Sequence, residues 1–411
     1  MASDTAIGAK PALAAAVPSR GTNQTGVRMY NERLVLSLMR EHKSLPKADL
    51  ARLTGLSPQT ISGIVNQLTR DGLLLRGKPL RGRVGQPSVP YSLNPEGAFF
   101  VGMKIGRRSS DVVLLDFLGR VLRKFHEPHP YSSPEGTLDL IRRGTTELVD
   151  DLSPAQRARV SGFGIASPFE LWNWEPQFGA PASVLDAWRQ TDVLAEARRL
   201  SPWPVYLHND GTSACAAELV LGHATTSADF LYIFIGSFIG GGVVLNHHLY
   251  PGRSRYAGAI GPMPIPGPGR TGHQQLLRSA SLYVLGERLA AAGQDPAALT
   301  RDPDHWGNFG APLETWLAQT AEDLALTITA AVSVVDFEAI VIDGAFPTDL
   351  RRRLVEATRT ALSGFDMQGI APFTVVEGSI GSGAREIGGA CLPLLANFTQ
   401  DREVLFKELQ G

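Results

Sequence analysis

The sequence predicts a small helical unit with a β wing, followed by a large α/β unit. Three observations carry this expectation. Residues 27–90 hold 11 Lys and Arg against 4 Asp and Glu, a balance of +7 in a chain whose net charge is −1. Within that segment, apolar residues recur at helical spacing in three successive stretches. After Pro95, short apolar runs of strand character alternate with helical stretches, the texture of an α/β sheet.

The composition sets outer bounds. With 411 residues, 43% hydrophobic and 19% charged, the chain is long enough for two or three domains with real cores. Its two cysteines, Cys215 and Cys391, are far apart, which excludes a disulfide framework and a cysteine-rich zinc site and points to a reducing compartment. No run approaches the ~18 apolar residues of a membrane helix, and the alanine-rich start lacks the order of a secretory signal. A cytoplasmic protein with no membrane partner is expected.

Residues 1–26 are rich in Ala, Ser, Thr, Gly and Pro without an apolar period and are expected to form a flexible leader. A first helix is expected from Asn31 to near His42, with Leu34, Val35, Leu38 and Met39 on one face. A second begins after Ser44, with Pro46 in its first turn and Leu50 and Leu53 inward. Thr54-Gly55-Leu56-Ser57 breaks it. Ser57 as N-cap and Pro58 at the first helical position open a third helix, whose inward stripe is Ile61, Ile64, Val65 and Leu68 and which ends near Asp71-Gly72. Basic, Gly- and Pro-rich residues then lie between two strand-like ends. The order is that of a winged helix-turn-helix over residues 27–95.

The third helix turns short amide and hydroxyl side chains outward, a surface suited to base edges in a major groove. Gln59, Thr60, Ser62 and Asn66, with Ser57 at the helix start, are the candidate base-reading residues; a partner-binding or merely solvated face is the alternative. Arg81, Arg83 and Gln86, set around Gly82 and Gly85, can follow phosphates or enter a minor groove. Arg28, Lys43 and Lys47 suit phosphate neutralisation. Duplex DNA is the expected partner.

Residues 96–411 carry the strand-like runs FFVGMKIG, DVVLLDF, VSGFGIAS, PVYLHND, LYIFIGSFIGGGVVLN, AIVIDG and FTVVEGS. Helices are expected near 212–222, 274–293, 312–335, 348–362 and 383–396. A unit of this size can split into two lobes with a cleft, and ligands of such sheets sit beyond the carboxyl ends of the strands.

The helix-turn-helix together with GIASPF, HNDGTSACAAELVLGH, FIGSFIGGGVVLNHHLYPG, YAGAIGPMPIPGPGRTGH and IVIDG resembles the repressors of the ROK family (repressors, open reading frames and sugar kinases), over nearly the whole chain. The resemblance implies two lobes of actin-like, ribonuclease-H-like ATPase fold with a sugar between them, and a winged helix that releases DNA when sugar binds. It implies that Asn209 and Asp210 contact the sugar, the aspartate being the general base in kinases. A plain helix cap is the alternative for Asp210.

Departures from the family pattern sharpen the reading. The kinase phosphate signature Asp-x-Gly-x-Thr is replaced by Lys104-Ile105-Gly106-Arg107-Arg108, removing an acid that positions the metal-bound nucleotide. Gly236–Gly242 still resembles the second phosphate turn, and Gly241 is taken with the ligand residues. Of the four zinc-ligand positions, three are Pro262, Pro266 and Pro268 and one is His273, and a lone imidazole makes no tetrahedral site. Ala259 and Pro262 stand where the family has a sugar-binding Glu and His, and Gln275 where it has a later Glu. Trp172, Asn173 and Trp174 follow GIASPFE, where a loop can cover the cleft; packing into the core is the alternative for the tryptophans. The chain is expected to be a transcriptional regulator, a homodimer or dimer of dimers, binding a small carbohydrate-like effector, with no cofactor and no enzymatic activity. The alternatives are a sugar kinase fused to a DNA-binding module and a regulator blind to ligand.

Overall fold

A computed structural model describes residues 24–400 apart from 80–87, 174–179, 268 and 270. The N-terminal unit opens with α1 (Gln24–His42), which buries Val35, Leu36 and Met39. It starts seven residues before Asn31 and takes Gln24, Thr25 and Gly26 from the expected leader. Tertiary contact extends it beyond the apolar period: Gly26 is buried, and the Tyr30 hydroxyl meets the Gln400 side chain. Strand β1 (Leu45–Pro46) follows, and α2 (Lys47–Thr54) buries Leu50. Pro46 is thus the N-cap of α2 with extended backbone, not a first-turn residue, and Leu53, expected inward, is 40% exposed. An eight-residue helix is little more than two turns long and offers the core a short face. Helix α3 (Pro58–Arg70) is capped by Ser57 and buries Ile61, Ile64, Val65 and Leu68 as the pattern requires.

Strands β2 (Leu74–Arg76) and β3 (Pro90–Leu93) form the stem of the wing, and β1 adds to the other edge of β3, giving a three-stranded sheet ordered β1-β3-β2. The wing strands are as expected, and β1 is a third strand that the sequence did not announce. The expected wing tip, with Arg81, Arg83 and Gln86, lies outside the described residues.

The first lobe is built on β4 (Phe99–Ile105), β5 (Ser109–Asp116), β6 (Val121–Pro128), β7 (Val160–Ser167) and β8 (Val205–Asn209). Helices α4 (Pro134–Glu147), α5 (Pro154–Arg157), α6 (Ala182–Gln190) and α7 (Val193–Leu200) connect these strands, and α8 (Asp210–Leu221) leaves the last. The second lobe has β9 (Phe230–Ile235), β10 (Ile239–Leu245) and β11 (His248–Tyr250), the ribbon β12 (Pro264–Pro266) with β13 (His273–Gln275), then β14 (Ala339–Gly344) and β15 (Thr374–Glu377). Its helices are α9 (Leu277–Ala280), α10 (Leu282–Ala291), α11 (Ala298–Arg301), α12 (Ala311–Val332), α13 (Thr348–Leu362) and α14 (Ala384–Phe398).

The two five-stranded sheets repeat one topology, β6-β5-β4-β7-β8 and β11-β10-β9-β14-β15. In each, the first three strands in sequence pair antiparallel and the remaining two add in parallel. A repeated third-second-first-fourth-fifth order is the ribonuclease-H-like, actin-like architecture. Strand β6 escapes a sequence reading because Arg123, Lys124, His126 and Glu127 hide its alternation at a sheet edge. The long run LYIFIGSFIGGGVVLN is a hairpin, β9 and β10. The helix expected from 274 starts only at Leu277, because His273–Gln275 pairs with Pro264–Pro266.

Helix α14 belongs to the second lobe in sequence yet lies on the sheet of the first, beside α8. Glycines permit this. A Cβ on Gly388 would stand 1.7 Å from the Ser213 carbonyl oxygen of α8, and one on Gly164 1.8 Å from the Gly389 carbonyl oxygen. The far end of α14 joins a core shared with the N-terminal unit, in which Val35, Met39, Leu50 and Leu68 lie in one apolar cluster with Phe100, Phe117, Ala390 and Leu394. The Phe398 ring packs edge-on against Phe117 at 4.9 Å and Phe100 at 5.8 Å. Arg40 of α1 sits 5.3 Å over Phe117, and Ser37 Oγ accepts from the Gln400 amide at 3.2 Å. The segment between the units is fixed as well: Asn94 Nδ2 donates to the Gly72 carbonyl at 2.7 Å, and Arg159 reaches the Gly72 and Gly97 carbonyls.

Candidate functional site

On α3, Gln59, Thr60 and Asn66 are exposed and Ser62 is half-buried. Ser57 and Thr60 are engaged with each other: the Thr60 amide donates to Ser57 Oγ at 3.1 Å and the two hydroxyls lie 2.8 Å apart. Lys47, at the start of α2, donates to Ser62 Oγ at 3.1 Å and Asn66 Oδ1 at 2.8 Å, with its ammonium 5.5 Å over the Tyr91 ring. It thereby orients two side chains of the presented face and puts a cation among them. Gln59 stands clear at the helix start. Gly63 has nothing within 4 Å of where a Cβ would be, so the middle of this face is a smooth step.

The second candidate is the cleft between the lobes. Asn209 ends β8 and caps α8, its Oδ1 accepting from the Gly211 amide at 3.0 Å. Asp210 opens α8; its Oδ1 also accepts from that amide, at 3.1 Å, and its Oδ2 lies 3.7 Å from Arg385 Nη1 at the start of α14. Arg107, in the turn between β4 and β5, stacks on the Phe238 ring at 3.8 Å. Burial lowers its pKa to about 9, with Asp210 opposing and Arg385 adding to the fall. Both arginines border the β9–β10 turn, since Arg385 Nη1 is 3.5 Å from where a Gly236 Cβ would be.

Lys104 does not face the turn as an acid would. Its ammonium is buried and ion-paired with Asp111 Oδ2 at 2.5 Å, and Asp111 also meets Lys124 at 3.5 Å and His126 Nδ1 at 2.7 Å. Lys124 in turn binds Glu386 of α14 at 2.7 Å. Burial pushes the Asp111 carboxyl up, but Lys104, Lys124 and the His126 hydrogen bond outweigh it and hold that carboxyl well below the usual range. The lysine thus belongs to a closed charge network under the first strand turn.

Gly241 is buried where α8 begins; a Cβ on Gly211 would lie 2.7 Å from both its backbone nitrogen and its oxygen. Close packing accounts for a glycine at this position. Trp172 packs against the apolar core of the first lobe, and Trp174 lies outside the described residues. Gln275 is exposed on the β12–β13 ribbon, paired in register with Pro264. His273 pairs with Pro266 on the same ribbon, and among the described residues no three His, Cys, Asp or Glu side chains gather to hold a metal. No described helix is long and apolar enough to cross a membrane.

Several residues at the cleft were not singled out by sequence. Tyr256 of the second lobe donates to Glu170 of the first at 3.5 Å and packs edge-on against Phe169 at 5.0 Å, bridging the lobes. His208, half-buried beside Asn209, has its pKa lowered to about 4, by burial first and then by Arg255. Arg107 had a signal, its place in the altered phosphate signature. Arg385 had none, because only the fold brings α14 to the cleft.

Residues 100–283 match the ROK family model and residues 30–74 a winged helix-turn-helix DNA-binding model. The chain is similar to the xylose repressor of Bacillus subtilis strain 168, 26% identical over 243 residues that span 59% of this chain and 62% of that protein. Among solved structures it resembles a ROK family transcriptional regulator described as a homologue of the E. coli MLC protein (TM-score 0.64, 18% identity, 93% of this chain and 100% of that one). It also resembles a ROK family glucokinase from Streptomyces griseus in complex with glucose and AMPPNP (TM-score 0.55, 18% identity, 72% and 99% of the two chains). Residues 100–283 of this chain carry the match to the ROK family, behind an N-terminal winged helix-turn-helix match, and its two lobes share the fold of these solved structures.

Proposed function

We propose that the chain is a DNA-binding transcriptional regulator, a repressor, controlled by a small carbohydrate-like ligand in the interlobe cleft, and that it transfers no phosphate. The observation that carries the reading is the course of α14. One end places Arg385 against Asp210 in the cleft, and the other packs Leu394 and Phe398 into the core of the winged helix. A ligand that changes how the lobes close has a rigid element through which to bias the DNA-binding unit. It can do so only by its differential affinity for the two states, typically ~1–3 kcal/mol of coupling. Similarity to a protein named xylose repressor supports a sugar as the ligand class and DNA as the partner.

Against phosphoryl transfer stands Lys104. Such transfer depends on positioned charge neutralisation, and here a buried lysine, paired with Asp111, occupies the acid's place. Base reading is assigned to Gln59, Thr60, Ser62 and Asn66, with Ser57 capping the helix. Arg81, Arg83 and Gln86 are assigned to the wing's DNA contact, and Asn209 and Asp210 to the ligand. Assembly as a homodimer or dimer of dimers belongs to the same reading and is checked by mass in solution.

The test combines fluorescence anisotropy on duplex DNA with an ATP-turnover assay across a sugar panel. Asp210→Asn should weaken the response of DNA binding to ligand and leave ligand-free DNA affinity nearly unchanged. A response at the original ligand concentration would reduce Asp210 to a helix cap. Sugar-stimulated ATP turnover abolished by the same substitution would replace the regulator by a kinase.

A further inference from the structure

We infer that Arg159, a residue of the first lobe, sets the angle at which α3 is held out to DNA, and so acts as a positioning residue for sequence reading without touching DNA itself. The inference rests on the regulator reading above and names how the lobes grip the reading helix. Helix α3 closes on Gly72, whose φ of +75° lies in the left-handed region. The Leu73 amide donates back to the Leu68 carbonyl at 2.9 Å and the Gly72 amide to the Thr69 carbonyl at 3.1 Å, a Schellman motif. The Gly72 carbonyl is then taken from outside the helix. Asn94 Nδ2 donates to it at 2.7 Å and Arg159 Nη1 at 3.4 Å. The same Nη1 reaches the Gly97 carbonyl at 3.3 Å and the Glu96 carbonyl at 3.5 Å.

A second observation comes from the missing side chain. A Cβ on Gly72 would stand 2.6 Å from Arg159 Nη2 and 2.7 Å from Nη1. The glycine therefore supplies both the backbone turn and the space in which the guanidinium lies. A fixed cation at this end of α3 also complements the negative pole of the helix. Among the described residues the Arg159 guanidinium donates to backbone carbonyls and to no carboxylate, so the helix end and the inter-unit segment are what it holds.

Behind Arg159 stands β7. The Arg159 carbonyl accepts from the Phe99 amide at 3.0 Å, and β7 then runs eight residues, about 26 Å of extended chain, paired on both sides. It ends at Ser167, in register with Asn209. Just beyond, Phe169 and Glu170 meet Tyr256 of the other lobe. A strand held between two neighbours passes a displacement at the cleft to its other end, where Arg159 meets α3. Helix α14 reaches the same N-terminal unit through the core it shares with α1. Two attachments fix an orientation where one leaves a hinge.

The experiment measures binding of the full chain by fluorescence anisotropy to two duplexes, the motif that the wild type enriches from a randomised pool and an unrelated sequence. Arg159→Ala should lower affinity for the motif about tenfold. Affinity for the unrelated duplex and the salt dependence should stay as they are, because no phosphate contact is lost. Arg159→Lys, which keeps a cation at the helix end, should recover part of the loss. Gly72→Ala should cost less motif affinity in the Arg159→Ala background than in the wild type, since the guanidinium it displaces is already gone. Should Arg159→Ala fail to fold, Arg159→Gln carries the same test with the stem retained. Unchanged affinity for the motif would overturn the proposal and leave the regulator reading standing. Equal losses on both duplexes would overturn it by making Arg159 a residue of general stability, and a flatter salt dependence by making it a phosphate contact. Failure of the wild type to enrich any motif, seen before a variant is made, would overturn the regulator reading and this role with it.

Discussion

The ion pair of Lys104 and Asp111 is a buried, residue-scale feature with a testable energetic consequence. Asp111 is 2% exposed, so removing its partner leaves a buried charge supported by Lys124, His126 and the Ser109 hydroxyl. Breaking a buried pair costs about 3–5 kcal/mol, and the surviving partners place Lys104→Ala at the lower end of that range. Replacing both at once, Lys104→Met with Asp111→Leu, should cost less than the single change; equal losses in denaturant melts would contradict the pairing. Gly63 makes the opposite case. An exposed mid-helix glycine costs about 0.5–1 kcal/mol relative to alanine, so Gly63→Ala should raise the melting temperature. It should also weaken DNA binding if the α3 face meets a groove, and unchanged anisotropy would remove position 63 from the interface. His208 gives a pH dependence. Its folded pKa of about 4 lies below the ordinary histidine value of 6.5, so the unfolded chain binds more protons between those values. Its contribution is complete above pH ~6.5 and is lost as pH falls toward ~4. His208→Asn should flatten the decline in melting temperature across that window.

At the scale of elements, α14 joins the cleft to the core of the N-terminal unit, and it was only half legible. The apolar run GGACLPLLANF reads as a helix, but nothing local says that it crosses to the other lobe's sheet. Gly388 and Gly389 carry that information in their missing side chains, which is visible only once Ser213 and Gly164 are placed against them. Gly388→Ala should overpack the α8–α14 crossing at about 1–3 kcal/mol, read as a lower melting temperature. Phe398→Ala removes the ring that meets Phe100 and Phe117 and should loosen the link to the winged helix. The expected signature is a ligand-induced thermal shift that survives while the ligand's effect on DNA affinity shrinks. Loss of both together would make Phe398 a core residue and no more. Strand β6 was illegible for another reason: an edge strand built of Arg123, Lys124, His126 and Glu127 has no apolar face to announce it.

At the scale of the whole molecule, the winged helix was legible because it is local. Ser57, Pro58 and the stripe of Ile61, Ile64, Val65 and Leu68 specify α3 within a dozen residues. The repeated sheet topology was legible through family resemblance, since strand order is a matter of long-range pairing. The cleft was legible at Asp210 and illegible at Arg385, which is brought there by the chain's return. The units also share a core, so removing residues 1–95 would strip the cover from Phe100, Phe117 and Leu394 and confound a deletion test. Point substitution on α3 is cleaner. The most direct measurement is selection of bound duplexes from a randomised pool by the full chain, alongside folded Gln59→Ala. The wild-type chain is expected to enrich one motif, and Gln59→Ala to relax it by ~1–3 kcal/mol at one position. No enrichment by the wild type, or the same motif at the same affinity from Gln59→Ala and Asn66→Ala, would contradict sequence-specific DNA binding through this helix.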